Sequence, residues 1–419
     1  MSPSLLLLLQ VVVILVVARA CGGLLRVFGQ PPVIGEMAAG IVLGPIVFGA
    51  LFPELHASLF AKASLPALTS LSTLGLMLFM FVVGAELRAP DGVRAQLKSA
   101  GMVGVLGVAL PMALGFAISP WLHPTLAPPG VGFWPFALFM AIAMSITAFP
   151  VLARILKDRG MTQTRLGQLA LSSAAIADVF AWIMLALVIA LTGTGEGSQG
   201  FLRAALGLIV LCALVFGGLK PLYARLLRRH AIDGRPSAPM FAALLVGAFA
   251  GAAATEWLHL HAVFGAFLFG ACLPRDDRLL KTLTERLEPL AVIVLMPIFF
   301  ALAGLNTTAD AFVGAGLGAL ALILITAIVG KIAGGAFGAR LAGHGWRESF
   351  AAGSLMNARG LMELIVMKVG LDAGLIGPEL FTMLLVMAIF TTVMTSPLLT
   401  WLGVRTNASA DIARTAHRR

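Results

Sequence analysis

The chain has 419 residues, of which 59% are hydrophobic and 11% charged, with a mean hydropathy of +0.99. A soluble domain carries roughly 25% charged residues, so a sizeable soluble core, and with it most enzyme classes, is excluded. The net charge of +10 does not mark a nucleic-acid binder, because the basic residues sit in short loops rather than along one face or in a tail.

Hydropathy and helix breakers divide the chain into about thirteen predicted membrane spans. They lie near residues 4–24, 33–52, 66–87, 100–121, 133–156, 166–192, 202–224, 238–256, 260–274, 288–305, 312–338, 350–371 and 379–403. The first contains the apolar run from Leu5 to Val17, followed by Ala18-Arg19-Ala20-Cys21, which resembles a signal or lipoprotein cleavage site. No Lys or Arg precedes the run, so a retained span is expected. Cys21, Cys212 and Cys272 each lie inside an apolar stretch without metal-ligand spacing, and are read as small apolar residues. Only Trp257-Leu258-His259 separates the eighth and ninth spans, where His259 and His261 are expected to be interfacial rather than metal-binding.

Loop charges orient the layout. Arg88, Arg94 and Lys98; Arg154, Lys157, Arg159 and Arg165; Lys220, Arg225, Arg228, Arg229 and Arg235; and Arg275, Arg278, Lys281 and Arg286 follow odd-numbered spans. The alternate loops hold only Lys62 and Arg203. The positive-inside rule then places the N-terminus outside and the C-terminus in the cytoplasm.

An internal repeat is also legible. Val33-Ile34-Gly35, Gly40 and Leu43 of span 2 match Val263-Phe264-Gly265, Gly270 and Leu273 of span 9. Span 3 ends Phe81-Val82-Val83-Gly84, and span 10 ends Ala301-Leu302-Ala303-Gly304. Both matches share an offset of seven spans, an odd number, so the copies cross the bilayer in opposite directions. Spans 1–6 and 8–13 form an inverted repeat, an architecture that puts transport sites at the midplane.

The same offset pairs spans 5 and 12, and both are interrupted. Span 5 carries Ser145-Ile146-Thr147-Ala148-Phe149-Pro150, where proline lacks an N–H and breaks the helix. Span 12 carries Met356-Asn357-Ala358-Arg359-Gly360. Paired breaks at repeat-related positions point to an ion site; the alternative is a pair of structural kinks.

Asp178 is the one charge of span 6 and is expected near mid-bilayer, where a lone carboxylate costs about 3 kcal/mol and usually faces a cavity. A carboxylate that holds either a proton or a cation is the chemistry an exchanger needs. Thr147, Ser172 and Ser173 are candidates for neutral oxygen ligands. Lys331 lies midway along span 11, while Arg359 and Glu363 are four apart on one helical face and are read as a mainly structural pair. Glu36, Glu86 and Glu256 lie near span ends and are read as anchors or cavity-lining groups.

Several stretches resemble one known family. Gln30-Pro31-Pro32-Val33-Ile34-Gly35-Glu36, Leu78 to Leu87, Thr147 to Arg154, His261 to Phe267 and Met356-Asn357-Ala358-Arg359-Gly360-Leu361-Met362-Glu363-Leu364 are similar to motifs of the sodium/proton exchanger superfamily. The set is most similar to its monovalent cation–proton antiporter-2 branch, with bacterial potassium-efflux and plant cation/proton exchangers. The resemblance implies an all-α membrane transporter with two crossing broken helices, interleaved dimerisation and core parts over 1–404, and a short cytoplasmic tail at 405–419. It further implies a homodimer in the bacterial inner membrane and elevator-like exchange of Na+ or K+ for H+. Asp178 would be the carrier and Lys331 the core lysine, with no cofactor, no metal beyond the transported cation and no nucleic-acid partner.

Two departures shape the expectation. The family commonly places Asp, Asn or Gln before the carrier aspartate, and here that residue is Ala177. Lys331 therefore lacks its usual counter-charge, and electroneutral exchange of one cation per proton is predicted. The relatives also carry large C-terminal domains, so no nucleotide-binding regulation is expected within this polypeptide. A symporter or uniporter of the same architecture is the alternative within transport. An intramembrane enzyme is disfavoured by the lack of a Ser/His dyad or His-x-x-x-His at depth.

Overall fold

The computed structural model describes residues 2–404 other than 29, 87–92, 163, 193–205, 208, 233–234, 259–261, 275 and 314–315. Arg88, Arg203, His259, His261, Arg275 and the predicted tail at 405–419 lie outside the described residues. Inside a bilayer each backbone polar group must bond within its own segment, so apolar stretches fold as helices. In chain order these are α1 (Pro3–Val27), α2 (Pro32–Leu43), α3 (Pro53–Leu59), α4 (Leu65–Glu86), α5 (Val93–Leu126), α6 (Phe133–Ser145), α7 (Phe149–Asp158) and α8 (Arg165–Thr192). The second half gives α9 (Lys220–His230), α10 (Ala238–Trp257), α11 (Ala262–Cys272), α12 (Asp277–Glu288), α13 (Met296–Leu305), α14 (Gly316–Leu341), α15 (Trp346–Met356), α16 (Leu361–Asp372) and α17 (Pro378–Trp401). One tiny antiparallel pair, β1 (Ala231–Ile232) with β2 (Arg235–Pro236), closes a loop before α10.

Nine helical stretches among the described residues are long and apolar enough to cross a membrane, with α6 and α11 as shorter apolar helices. Tryptophans Trp121, Trp134 and Trp257 stand exposed at one set of helix ends, Trp346 and Trp401 at the other, as interfacial aromatics do. The predicted loop after span 9 is instead the amphipathic helix α12. Asp276 caps it by accepting from the N–H groups of Arg278 and Leu279, and Leu279, Leu283 and Leu287 turn inward at helical spacing. It runs into α13 through a π-helical stretch over Pro289–Leu295, where proline cannot donate to the preceding turn.

Lipid offers no hydrophobic reason for helices to associate, so close packing depends on small residues. Glycine contacts carry the inverted repeat. Gly35 of α2 lies against Gly22 of α1, and Gly265 of α11 against Gly251 of α10. Gly40 of α2 meets Gly304 beside Phe300 of α13, and Gly270 of α11 meets Gly84 beside Phe81 of α4. The predicted seven-span offset exchanges each member of these pairs for its counterpart.

Contacts sort the helices into two bundles. One joins α1 to α2, α2 and α4 to α13, α4 to α11, and α11 to α10. The other gathers α5, α6, α8, α14, α15 and α17, with α7 and α16 among them. Between the bundles run contacts of α2 with α17 and an ion pair from Glu36 of α2 to Arg154 of α7, whose N–O distance is 3.4 Å.

The glycine seams give a direct test. Gly304→Val should destabilise by about 1–3 kcal/mol, because overpacked interiors must shift backbone. Gly318→Ala, on an exposed position of α14 with open space around it, should match or exceed wild type. Thermal melts of the detergent-purified protein read both.

Candidate functional site

The two broken helices meet at their breaks. α6 ends at Ser145, Ile146 is extended, and α7 begins at Phe149 with Pro150 as its second residue. Proline is tolerated in a first turn, where its missing N–H has no intrahelical partner, so Pro150 opens the second half rather than kinking a continuous helix. α15 ends at Met356 and α16 begins at Leu361, joined through Gly360 at φ 156°. That backbone disfavours any L side chain, and a Cβ there would sit 2.8 Å from Val151 of α7. One backbone bond ties the breaks together, from Ala148 N–H to the Ala358 carbonyl at 3.1 Å.

Breaking α6 frees its last carbonyls, and cations answer them. Arg359 donates to the Ala143 carbonyl at 3.0 Å and the Met144 carbonyl at 2.6 Å. Lys331 donates to the Ser145 carbonyl, to Thr147 Oγ1 at 2.6 Å and to the Gly107 carbonyl at 3.0 Å. Positive charge at a helix C-terminus is also favoured by the helix dipole. Lys331 reaches Gly107 because Gly330, Gly334 and Gly338 make α14 smooth where it lies on α5. A Cβ at any of them would press on Pro111, Leu106 or Met102 and Val103.

The N-terminal ends are answered by acids and hydroxyls. Asp178 of α8 is buried and lies beside the Phe149 backbone at the start of α7, and its Oδ1 has no hydrogen-bond partner among the described residues. In the second half Thr392 of α17 plays the matching part, accepting from Arg359 N–H at 2.9 Å and donating to the Arg359 carbonyl at 2.8 Å. Glu363, in the first turn of α16, pairs with Arg359 at 3.0 Å, and both side chains are fully buried.

The residues singled out by sequence are not all gathered alike. Asp178, Thr147, Lys331, Asn357, Arg359, Glu363 and Gly360 belong to this crossing. Ala177 beside Asp178 is buried. Ser173 is buried but its hydroxyl donates to Leu169 of its own helix at 2.7 Å, and Ser172 is half-buried. These serines precede Asp178 by five and six positions, whereas residues three or four apart share a helical face. Lys331, expected to lack a partner, has three oxygen acceptors in place of a carboxylate, matching the three N–H donors of an ammonium.

Sequence reading missed Thr391 and Thr392. The run of hydroxyls at Thr391, Thr392, Thr395 and Ser396 in an apolar span was the available signal. It placed Glu36 as an end anchor without naming Arg154 as its mate. Glu256 does anchor an end, since it accepts from Ala262 N–H at 2.7 Å where α11 starts.

Two bundles, each drawn from both halves of an inverted repeat, with crossed, broken helices and a buried acid at the crossing define a membrane transport protein of the inverted-repeat kind. Residues 12–404 match the transmembrane sodium/hydrogen exchanger family, and the chain belongs to that family. It is 41% identical to Na(+)/H(+) antiporter NhaS4 of Synechocystis sp., over 95% of this chain and 97% of that protein. It is 37% identical to Cation/H(+) antiporter 17 of Arabidopsis thaliana and 36% identical to K(+)/H(+) antiporter 1 of Saccharomyces cerevisiae. The chain spans about half the length of those two relatives, 48% and 46%. The fold is shared with a sodium proton antiporter of Methanocaldococcus jannaschii, with a TM-score of 0.65 and 12% identity over 96% of this chain and 100% of that one.

The buried pair should dominate the stability of the crossing. Arg359→Leu strands Glu363 and the Ala143 and Met144 carbonyls, and should cost about 3–5 kcal/mol. Lys368→Ala removes an exposed pair with Asp372 on the same helix and should change stability by at most about 1 kcal/mol. Chemical or thermal unfolding of the two variants compares them directly.

Proposed function

We propose that this chain is a secondary antiporter that exchanges a monovalent cation, Na+ or K+, for H+, with Asp178 as the shared carrier. The observation that carries the reading is the buried Asp178 carboxylate with Oδ1 left unpartnered beside the crossed breaks. A carboxylate at that depth is stable with a proton or a cation on it, and one ligand must leave before the other binds.

The charges around it favour electroneutral turnover. Lys331 and Arg359 contribute two positive charges at the crossing, Glu363 and ionised Asp178 two negative ones. With H+ or a monovalent cation on Asp178, the crossing carries the same net charge of +1. Membrane potential then distinguishes neither loaded form. Lys331, engaged by three oxygens, acts as a fixed charge rather than a second proton carrier.

The reading extends to movement and placement. The bundle that holds Asp178 slides against the other in an elevator-like motion, and the chain works as a homodimer in the bacterial inner membrane. Lysine and arginine in the odd-numbered loops support an external N-terminus and a cytoplasmic C-terminus.

Proteoliposomes with an internal pH dye test the exchange. Addition of Na+ or K+ should move protons with wild type, and Asp178→Asn should reduce the rate at least about 100-fold. An imposed membrane potential should leave the wild-type rate unchanged. Cation-driven proton movement retained in Asp178→Asn, or a rate that follows the potential, contradicts the proposal.

A further inference from the structure

Asn357 is fully buried at the end of α15, and its two amide ends have different fates. Nδ2 donates to the Thr391 carbonyl at 3.2 Å. Reversing the amide would set two acceptors against each other, so the assignment is fixed by chemistry. Oδ1 then has no hydrogen-bond partner among the described residues. A buried acceptor left unsatisfied is disfavoured, and a strong one held rigid by its own amide partner is a ready ligand.

Its position decides what it can bind. Ala358, the next residue, accepts the single backbone bond that joins the breaks, and Ala148 donates it. Phe149, next after Ala148, is the backbone group that lies beside Asp178. Of the two orphaned oxygens, Asn357 Oδ1 adjoins one end of that bond and Asp178 Oδ1 lies on the group beside the residue that follows its other end. Each is contributed by a different half of the inverted repeat. Glu363 Oε2 is also without a partner, but its carboxylate is already matched by Arg359.

Hard cations shed water only where several oxygens replace it, and an amide oxygen does so without adding charge. Ser173 spends its proton on its own helix, and Lys331 occupies Thr147. We propose that Asn357 Oδ1 is a direct ligand of the transported monovalent cation and a determinant of selectivity among Li+, Na+ and K+. A neutral amide cannot take the exchanged proton, so Asn357 acts on the cation half of the cycle alone. The inference rests on exchange at Asp178.

The test is cation-dependent thermal stabilisation of purified protein, titrated with LiCl, NaCl and KCl, alongside vesicle transport. Asn357→Ala should raise the half-saturating concentration of the preferred cation about tenfold or more, change the order among the three, and leave the pH dependence of the cation-free melt unchanged. Asn357→Asp keeps an oxygen but loses the Nδ2 donor, and should hold cation within about threefold of wild type. Where Asn357→Ala does not fold, Asn357→Ser takes its place under the same criteria. Unchanged cation titration in the Ala or Ser variant overturns the inference, as does equal weakening in the Ala and Asp variants, which would assign the effect to the Thr391 anchor. Asp178→Asn run in parallel separates the two levels. If it alone abolishes cation stabilisation, exchange at Asp178 stands and the ligand role of Asn357 fails. If it leaves cation stabilisation intact, the underlying reading fails.

Discussion

A helix broken at membrane depth leaves carbonyls and N–H groups that no water answers, each worth several kcal/mol. This chain breaks two such helices and sets the breaks against each other, so one backbone bond from Ala148 to Ala358 serves both. The remaining groups dictate which side chains must stand nearby. Carbonyls at the end of α6 are met by Lys331 and Arg359, the N–H before α16 by Thr392, and Asp178 lies at the start of α7. Charge in the bilayer is thereby placed by the need to finish two helices, and the proposed exchange uses the same groups.

That origin explains why the acid is available. Arg359 is bound to two carbonyls and Glu363, and Lys331 to three oxygens, so neither cation is free to neutralise Asp178 completely. The carboxylate lies at the start of α7, and its Oδ1 has no hydrogen-bond partner among the described residues. The glycine seams serve the same end by a different route. They let α14 approach α5 closely enough for Lys331 to reach Gly107, and they lock α2, α4, α11 and α13 into a second body. Between the bodies the Glu36–Arg154 pair is buried on the Glu36 side and half-open at Arg154.

Much of this was legible before any coordinates. The apolar runs set the helices, and Gly35, Gly40, Gly84, Gly265, Gly270 and Gly304 announced the repeat because closely packed membrane helices have few other small residues to use. Pro150 and Gly360 mark the breaks, and the lone charge at Asp178 falls buried beside them. What escaped sequence reading was pairwise and long-range. Nothing in local pattern links Lys331 to a carbonyl at Gly107, Glu36 to Arg154, or Thr392 to Arg359, since backbone acceptors leave no trace in residue identity. Helical phase also went unused: Ser172 and Ser173 are close to Asp178 in sequence but not on its face. The helix α12 reads as a loop in sequence because its charges outweigh its leucine spacing.

The central claim is competition of a cation and a proton for one carboxylate, and proton release on cation binding measures it most directly. Purified protein in weakly buffered detergent, titrated with NaCl or KCl at a pH where Asp178 is protonated, should release close to one H+ per cation bound. Asp178→Asn should release none. Saturating cation binding without proton release, or release that persists in Asp178→Asn, would show that the two ions do not share this site.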